Sequence, residues 1–226
     1  MTLLVKICGL TTPPTLEAAL EAGADMVGLV FFARSPRHVS LDAAAGLAAQ
    51  ARGRARIVAL TVDADDATIE AIAKLVEPDL FQLHGREIPA RVADVRARCG
   101  RPVIKALPIA VRDDLAPVES FAEVADMLLF DAKPAPGAAL PGGNGLAFDH
   151  TLVAGLDPGV PVMLSGGLDP ATVAQAIGLV RPAAVDVSSG VERAPGDKDP
   201  AKIRAFVAAA RAADAAAREI REEPPL

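Results

Sequence analysis

VPVMLSGGLDP, residues 160–170, reads as the end of one structural element and the start of the next. Its opening VPVMLS is short and mostly apolar on both faces, as a parallel strand covered on two sides should be. SGGL (165–168) follows as a glycine-rich turn. Asp169-Pro170 then reads as a helix N-cap with proline at the first helical position. A strand that passes through a polar turn straight into a helix is half of a βαβ unit. The number of such units in the chain decides the fold.

Eight strand-like runs recur: LLVKIC (3–8), MVGLVF (26–31), RIVALTV (56–62), LFQLH (80–84), PVIKAL (102–107), DMLLFD (126–131), VPVMLS (160–165) and AAVDVSS (183–189). Helical patterns lie between most of them. Ile69, Ile72, Ala73 and Val76 share one helical face, as do Ile203, Phe206, Val207 and Ala210. Asp199-Pro200 repeats the cap-and-proline start, and Gly23 and Gly100 sit where helices should stop. Strand then helix, eight times, predicts an α/β fold: a single (β/α)8 TIM barrel with eight parallel strands. At 226 residues the units average about 28 residues, the compact end of that architecture. A doubly wound open sheet is disfavoured, because no G-x-G-x-x-G follows the first strand and no linker marks a second domain. The barrel domain is placed at residues 1–213. Residues 214–226, ending EIREEPPL, form a charged tail expected to fray. AKPAPGAALPGGNGLAF (132–148) is the one long irregular connection, and such loops tend to be functional or disordered.

Composition narrows the function. The chain is 51% hydrophobic but has no Trp or Tyr and seven Phe, so its core is built from Ala, Val, Leu and Ile. A net charge of −6 gives no encouragement to nucleic-acid binding. Cys8 and Cys99 make neither a disulfide framework nor a metal signature. The apolar start is interrupted by Lys6, which argues against a signal peptide, and no apolar run has transmembrane length. A cytoplasmic protein without membrane partners is expected.

In a barrel of this kind the site lies at the C-terminal strand ends. Those ends carry polar or reactive residues although the strand bodies are apolar. Gly-rich loops follow strands six (Gly142, Gly143, Gly145), seven (Ser165, Gly166, Gly167) and eight (Ser188, Ser189, Gly190). Each alone is an ordinary tight turn, but together after strands seven and eight they point to a phosphate. Cys8 ends strand one. It is either a small buried hydrophobe or a base, and a base needs a nearby cation or N–H donors. Lys6 points the same way, one layer deeper, and either assists Cys8 or is neutralised by Asp186 on the neighbouring strand. Asp131 ends strand six after four apolar residues. It is either a loop cap or a desolvated acid, since desolvation favours the protonated form a general acid requires. Arg37, in the loop after strand two, suits a carboxylate, with Arg34 competing. His84 lines the pocket or packs.

In order along the chain, KICGL (6–10), GADMVGLVF and SPRHVS (within 23–40), QLHG (82–85), LFDAK (129–133), GGNG-x₂-FD (142–149), LSGGLDP (164–170) and VDVSSGVE (185–192) resemble the motifs of the phosphoribosylanthranilate isomerase family. The resemblance implies an isomerase of tryptophan biosynthesis. It would convert N-(5′-phosphoribosyl)anthranilate to 1-(o-carboxyphenylamino)-1-deoxyribulose 5-phosphate by an Amadori rearrangement, with no metal and no organic cofactor. By the same resemblance Cys8 is the general base at C2′ and Asp131 the general acid at the ring oxygen. Arg37 holds the anthranilate carboxylate, and the three glycine loops hold the phosphate. A monomer is favoured over a homodimer. Leu146-Ala147 and His150 depart from the family pattern. Two alternatives stand beside it. One is the histidine-pathway isomerase of a related aminated ribose phosphate, which uses an aspartate at the end of strand one and a second phosphate site. The other is a barrel that only binds a sugar phosphate, which would not need both Cys8 and Asp131.

Overall fold

Eight strands alternate with helices in the computed structural model, which describes residues 2–222 apart from 136, 139, 141 and 144, with side chains up to residue 219. The strands are β1 Leu4–Cys8, β2 Met26–Phe31, β3 Arg56–Thr61, β4 Leu80–Leu83, β5 Val103–Ile109, β6 Met127–Ala132, β7 Val162–Leu164 and β8 Ala184–Val187. They pair in sequence order, all parallel, and β8 closes on β1. The helices are α1 Pro13–Glu21, α2 Leu41–Ala51, α3 Asp66–Leu75, α4 Pro89–Cys99, α5 Val118–Ala122, α6 Val173–Val180 and α7 Pro200–Glu222. A hairpin, β9 Glu192–Ala194 and β10 Asp197–Lys198, stands between β8 and α7.

Three details differ from the sequence reading. Between β6 and β7 no α-helix forms among the described residues; a 3-10 turn, His150–Leu152, takes its place. The segment spends its length on a Pro- and Gly-rich loop that disfavours helix. The helix after β7 begins at Val173, with Thr172 in the cap position, rather than at Pro170. Asp169 instead caps the turn before it, accepting from the Ala171 and Thr172 N–H groups. The last helix also runs past residue 213 as far as Glu222. Asp214 is part of the body: it accepts from the Leu3 N–H and pairs with Arg218. Residues 223–226 of the expected tail lie outside the described residues.

Register shows what fills the barrel. Lys6 stands opposite Met26 on one side and Asp186 on the other, and Cys8 stands opposite Gly28. Paired residues point the same way, so Leu4, Lys6 and Cys8 face inward. Met26, Val58, Leu80, Ile104, Met127, Met163 and Ala184 close the floor as one apolar cluster. A larger cluster of aliphatic side chains fills the layer between strands and helices. Arg211 seals the seam between chain start and end, donating to the carbonyls of Leu3 and Gly23 and pairing with Asp25. A polar layer sits above the floor, and above that layer lies the mouth.

Candidate active site

The mouth holds an open cavity. Its wall brings together Cys8, Arg37, His84, Asp131, Gly142, Gly143, Gly145, Ser165, Gly166, Gly167, Asp186, Ser188 and Ser189. Nearly every expected site residue therefore converges from the ends of six of the eight strands and the loops that follow them. Two do not reach the wall. Lys6 is fully buried below it, because Asp186 binds its ammonium at 2.8 Å. Gly190 lies behind Ser189, packed on the Leu168 carbonyl of the loop after β7.

Cys8 is buried, and its sulfur sits over Gly28 of the adjacent strand. A Cβ at residue 28 would come 2.8 Å from that sulfur, so glycine is needed there. Burial pushes the Cys8 thiol up; Lys6 and Lys198 pull it back, while the Asp186 charge adds to the upward shift. Asp186 also accepts from the Ser165 hydroxyl at 3.3 Å. Burial works against the Lys6 charge, but Asp186 and Cys8 outweigh it, so Lys6 holds its proton more firmly than a free lysine.

Asp131 faces the cavity and also accepts from the backbone beside it. One oxygen accepts from the N–H of Ala132 at 2.9 Å, and the other lies 3.2 Å from His84 Nε2. Gln82 Nε2 is 3.0 Å from His84 Nδ1. His84 thus lies between Gln82 and Asp131. Gly142 covers this pair so closely that a Cβ would lie 2.5 Å from the Asp131 carboxylate.

Arg37 is buried and already oriented. Its Nε and Nη2 each meet a Glu192 oxygen at 2.8 Å, and Nη2 also donates to the Gly143 carbonyl at 3.1 Å. Nη1 makes no hydrogen bond to another described residue. Between Arg37 and Cys8 the wall is apolar: Val30, Phe32, Leu60 and Val62. Across the mouth, the N–H groups of Gly166, Gly167, Ser189 and Gly190 donate to no other described residue. In the turn ahead of α6, the Asp169 side chain takes the Ala171 and Thr172 N–H groups.

Sequence reasoning missed Glu192, Lys198 and Gln82. Glu192 closes the SSGVE stretch, and its place directly after a glycine loop was the only available cue. Lys198 lies in a hairpin with no periodic pattern.

A closed parallel barrel whose mouth gathers a thiol, a carboxyl group and glycine-loop amides unpaired among the described residues has the architecture of a small-molecule enzyme. The family model described as N-(5'phosphoribosyl)anthranilate (PRA) isomerase matches residues 5–209. The chain belongs to that family, the isomerases of tryptophan biosynthesis. It is 62% identical over 221 residues to the N-(5'-phosphoribosyl)anthranilate isomerase of Azorhizobium caulinodans, covering 98% of this chain and 97% of the relative. It is 61% identical over 214 residues to that of Rhodopseudomonas palustris, covering 95% and 98%. Among solved structures it resembles the phosphoribosyl anthranilate isomerase of Thermotoga maritima, with TM-score 0.84, 33% identity, and coverage of 93% and 99%. A structure of such an isomerase in complex with reduced 1-(o-carboxyphenylamino)-1-deoxyribulose 5-phosphate matches with TM-score 0.81, 33% identity, and the same coverage.

Proposed function

We propose that this chain rearranges N-(5′-phosphoribosyl)anthranilate to 1-(o-carboxyphenylamino)-1-deoxyribulose 5-phosphate with Cys8 as general base and Asp131 as general acid. The observation that carries this reading is their shared cavity, bounded by Arg37 and by the glycine loops after β7 and β8. Asp131 gives its proton to the ring oxygen. The C1′–O4′ bond breaks, its electrons stay on oxygen, and the anthranilate nitrogen forms a Schiff base. The Cys8 thiolate then takes the C2′ proton, and the electrons left behind form the enamine. Proton loss from the C2′ hydroxyl and gain at C1′ give the ketose. The apolar wall fits the anthranilate ring, Arg37 Nη1 its carboxylate, and the free amides of Gly166, Gly167, Ser189 and Gly190 the phosphate. All of these residues come from one chain, so a monomer suffices. A base that must remain a thiol suits the reducing cytoplasm.

The histidine-pathway alternative needs a second phosphate site across the barrel. There, Glu87 accepts from the N–H groups of Asp63 and Gly85, and Asp63 from that of Arg86. Those donors are taken, which favours the single-phosphate substrate.

The test follows loss of substrate fluorescence with wild type, Cys8→Ala and Asp131→Asn, each checked for folding. Wild type is expected to turn over, and each variant to lose about 10²- to 10⁴-fold in kcat. Because the thiol is raised by burial, kcat/KM should climb as pH rises toward its ionisation. An unimpaired Asp131→Asn removes the acid from the scheme, and an inert wild type removes the reaction.

A further inference from the structure

Beneath the cavity wall, one buried lysine joins two of the groups that shape the site, Ser188 and Glu192. Lys198, on β10, is 1% exposed. Its ammonium donates to Glu192 Oε1 at 2.7 Å, to the Ser188 carbonyl at 2.9 Å and to the Ser188 hydroxyl at 3.1 Å. Three protons meet three acceptors. The Ser188 hydroxyl in turn donates to the Cys8 carbonyl at 3.1 Å. Glu192 is the same carboxylate that grips Arg37. The hairpin carrying Lys198 packs on the Arg37 loop through Gly196 and the Pro36 carbonyl. One side chain thus ties the base strand, the phosphate loop and the carboxylate anchor together.

The charges do not cancel. Lys6 and Asp186 form a neutral pair. Glu192 carries one negative charge against two positive ones, Arg37 and Lys198. The Arg37–Glu192–Lys198 group is left with one surplus positive charge, and Lys198 acts on Cys8. We propose that Lys198 is a positioning residue that supplies this surplus charge to the Cys8 thiolate and fixes Ser188, with Glu192 as the strut that holds both Lys198 and Arg37. The catalytic part of this role rests on Cys8 acting as the base. Burial lowers the proton affinity of Lys198, and a Cys8 thiolate would raise it, so each group favours the other's charged form.

The test reads Cys8 directly. In a Cys99→Ser background, the rate of alkylation by iodoacetamide is followed against pH, and kcat and KM are measured alongside. The groups that act on Cys8 are Lys6 from its own strand, Asp186 from β8 and Lys198 from β10; Asp131, His84 and Arg37 share its cavity. Lys198→Met removes a positive charge and should move the alkylation profile up by about one pH unit. It should lower kcat roughly tenfold to hundredfold, an expectation scaled to that shift. Lys198→Arg should restore most of both. Glu192→Gln removes a negative charge and should move the profile down. Opposite directions for these two variants support the proposal. The same direction in both, or a folded Lys198→Met with an unchanged profile, overturns it. If Lys198→Met does not fold, Glu192→Gln alone decides by its direction. Alkylation needs no substrate, so a wild type inert toward phosphoribosylanthranilate would remove the assigned reaction while this charge test still gives its answer.

Discussion

Two buried lysine–glutamate pairs, each 2.7 Å long, stand in opposite halves of this barrel and serve different ends. Lys105 and Glu87 belong to β5 and the loop after β4. Lys105 pairs in register with Leu83, whose side chain lies in the layer under the helices, so it faces away from the mouth. There it donates to the carbonyls of Leu83 and Gly85 and lies 5.7 Å from the centre of the Phe121 ring. Glu87 takes the amides of Asp63 and Gly85. The pair is neutral, and its donors and acceptors are spent on the protein itself. Glu192 is shared between Lys198 and Arg37, which leaves one positive charge over in that group, behind loops whose amides are free among the described residues. The difference teaches that a buried ion pair acquires a functional meaning from what it leaves uncompensated, not from its length or burial.

The comparison breaks most visibly at Lys105. Lys105→Met leaves Glu87 as an uncompensated buried charge and should cost about 3–5 kcal/mol of stability in urea titration. Below the melting transition kcat should stay near wild type. A large kcat loss in the folded variant would show that the closed half also serves the chemistry. Arg37→Met tests the open half. Glu192 keeps Lys198 as partner, so the stability loss should be smaller than at Lys105. KM should rise roughly tenfold to hundredfold, the worth of charged hydrogen bonds to a carboxylate, with a lesser effect on kcat. The gentlest probe is inorganic phosphate followed by amide NMR. The Gly166, Gly167, Ser189 and Gly190 signals should shift, and those of Asp63, Gly85 and Arg86 should not. Equal shifts in both groups would erase the contrast between the halves.

Much of this was legible in the chain itself. Apolar strands ending in Cys8, Asp131 and Ser165 stand out because strand bodies and strand ends obey different physics: the bodies must be apolar to be covered, and the ends meet solvent or ligand. The glycine loops showed for a related reason, since three of them followed consecutive strands. The strut and its lysine did not show. Glu192 and Lys198 are charged residues in a short hairpin, which by pattern alone reads as a solvated surface turn. They become buried only when the hairpin folds down on Ser188 and on the loop holding Arg37, contacts spanning 155 residues in the case of Arg37 and Glu192. The helix expected between β6 and β7 failed for a local reason, because prolines and glycines consumed the segment. Lys6 was left open in the sequence between assisting Cys8 and pairing with Asp186. The pairing is present at 2.8 Å, and the influence on the thiol survives it.

The ladder that closes β1 on β8 also sets a timetable for synthesis. Cys8 leaves the ribosome long before Ser188, which is hydrogen-bonded to its carbonyl and comes 180 residues later. The Leu3 carbonyl waits longer still, for Arg211, 208 residues on. No growing chain can assemble the mouth by halves, because the first strand contributes the thiol and the last contributes the groups that tune it. The charges of Asp186 and Lys198 act on Cys8 only once the barrel shuts.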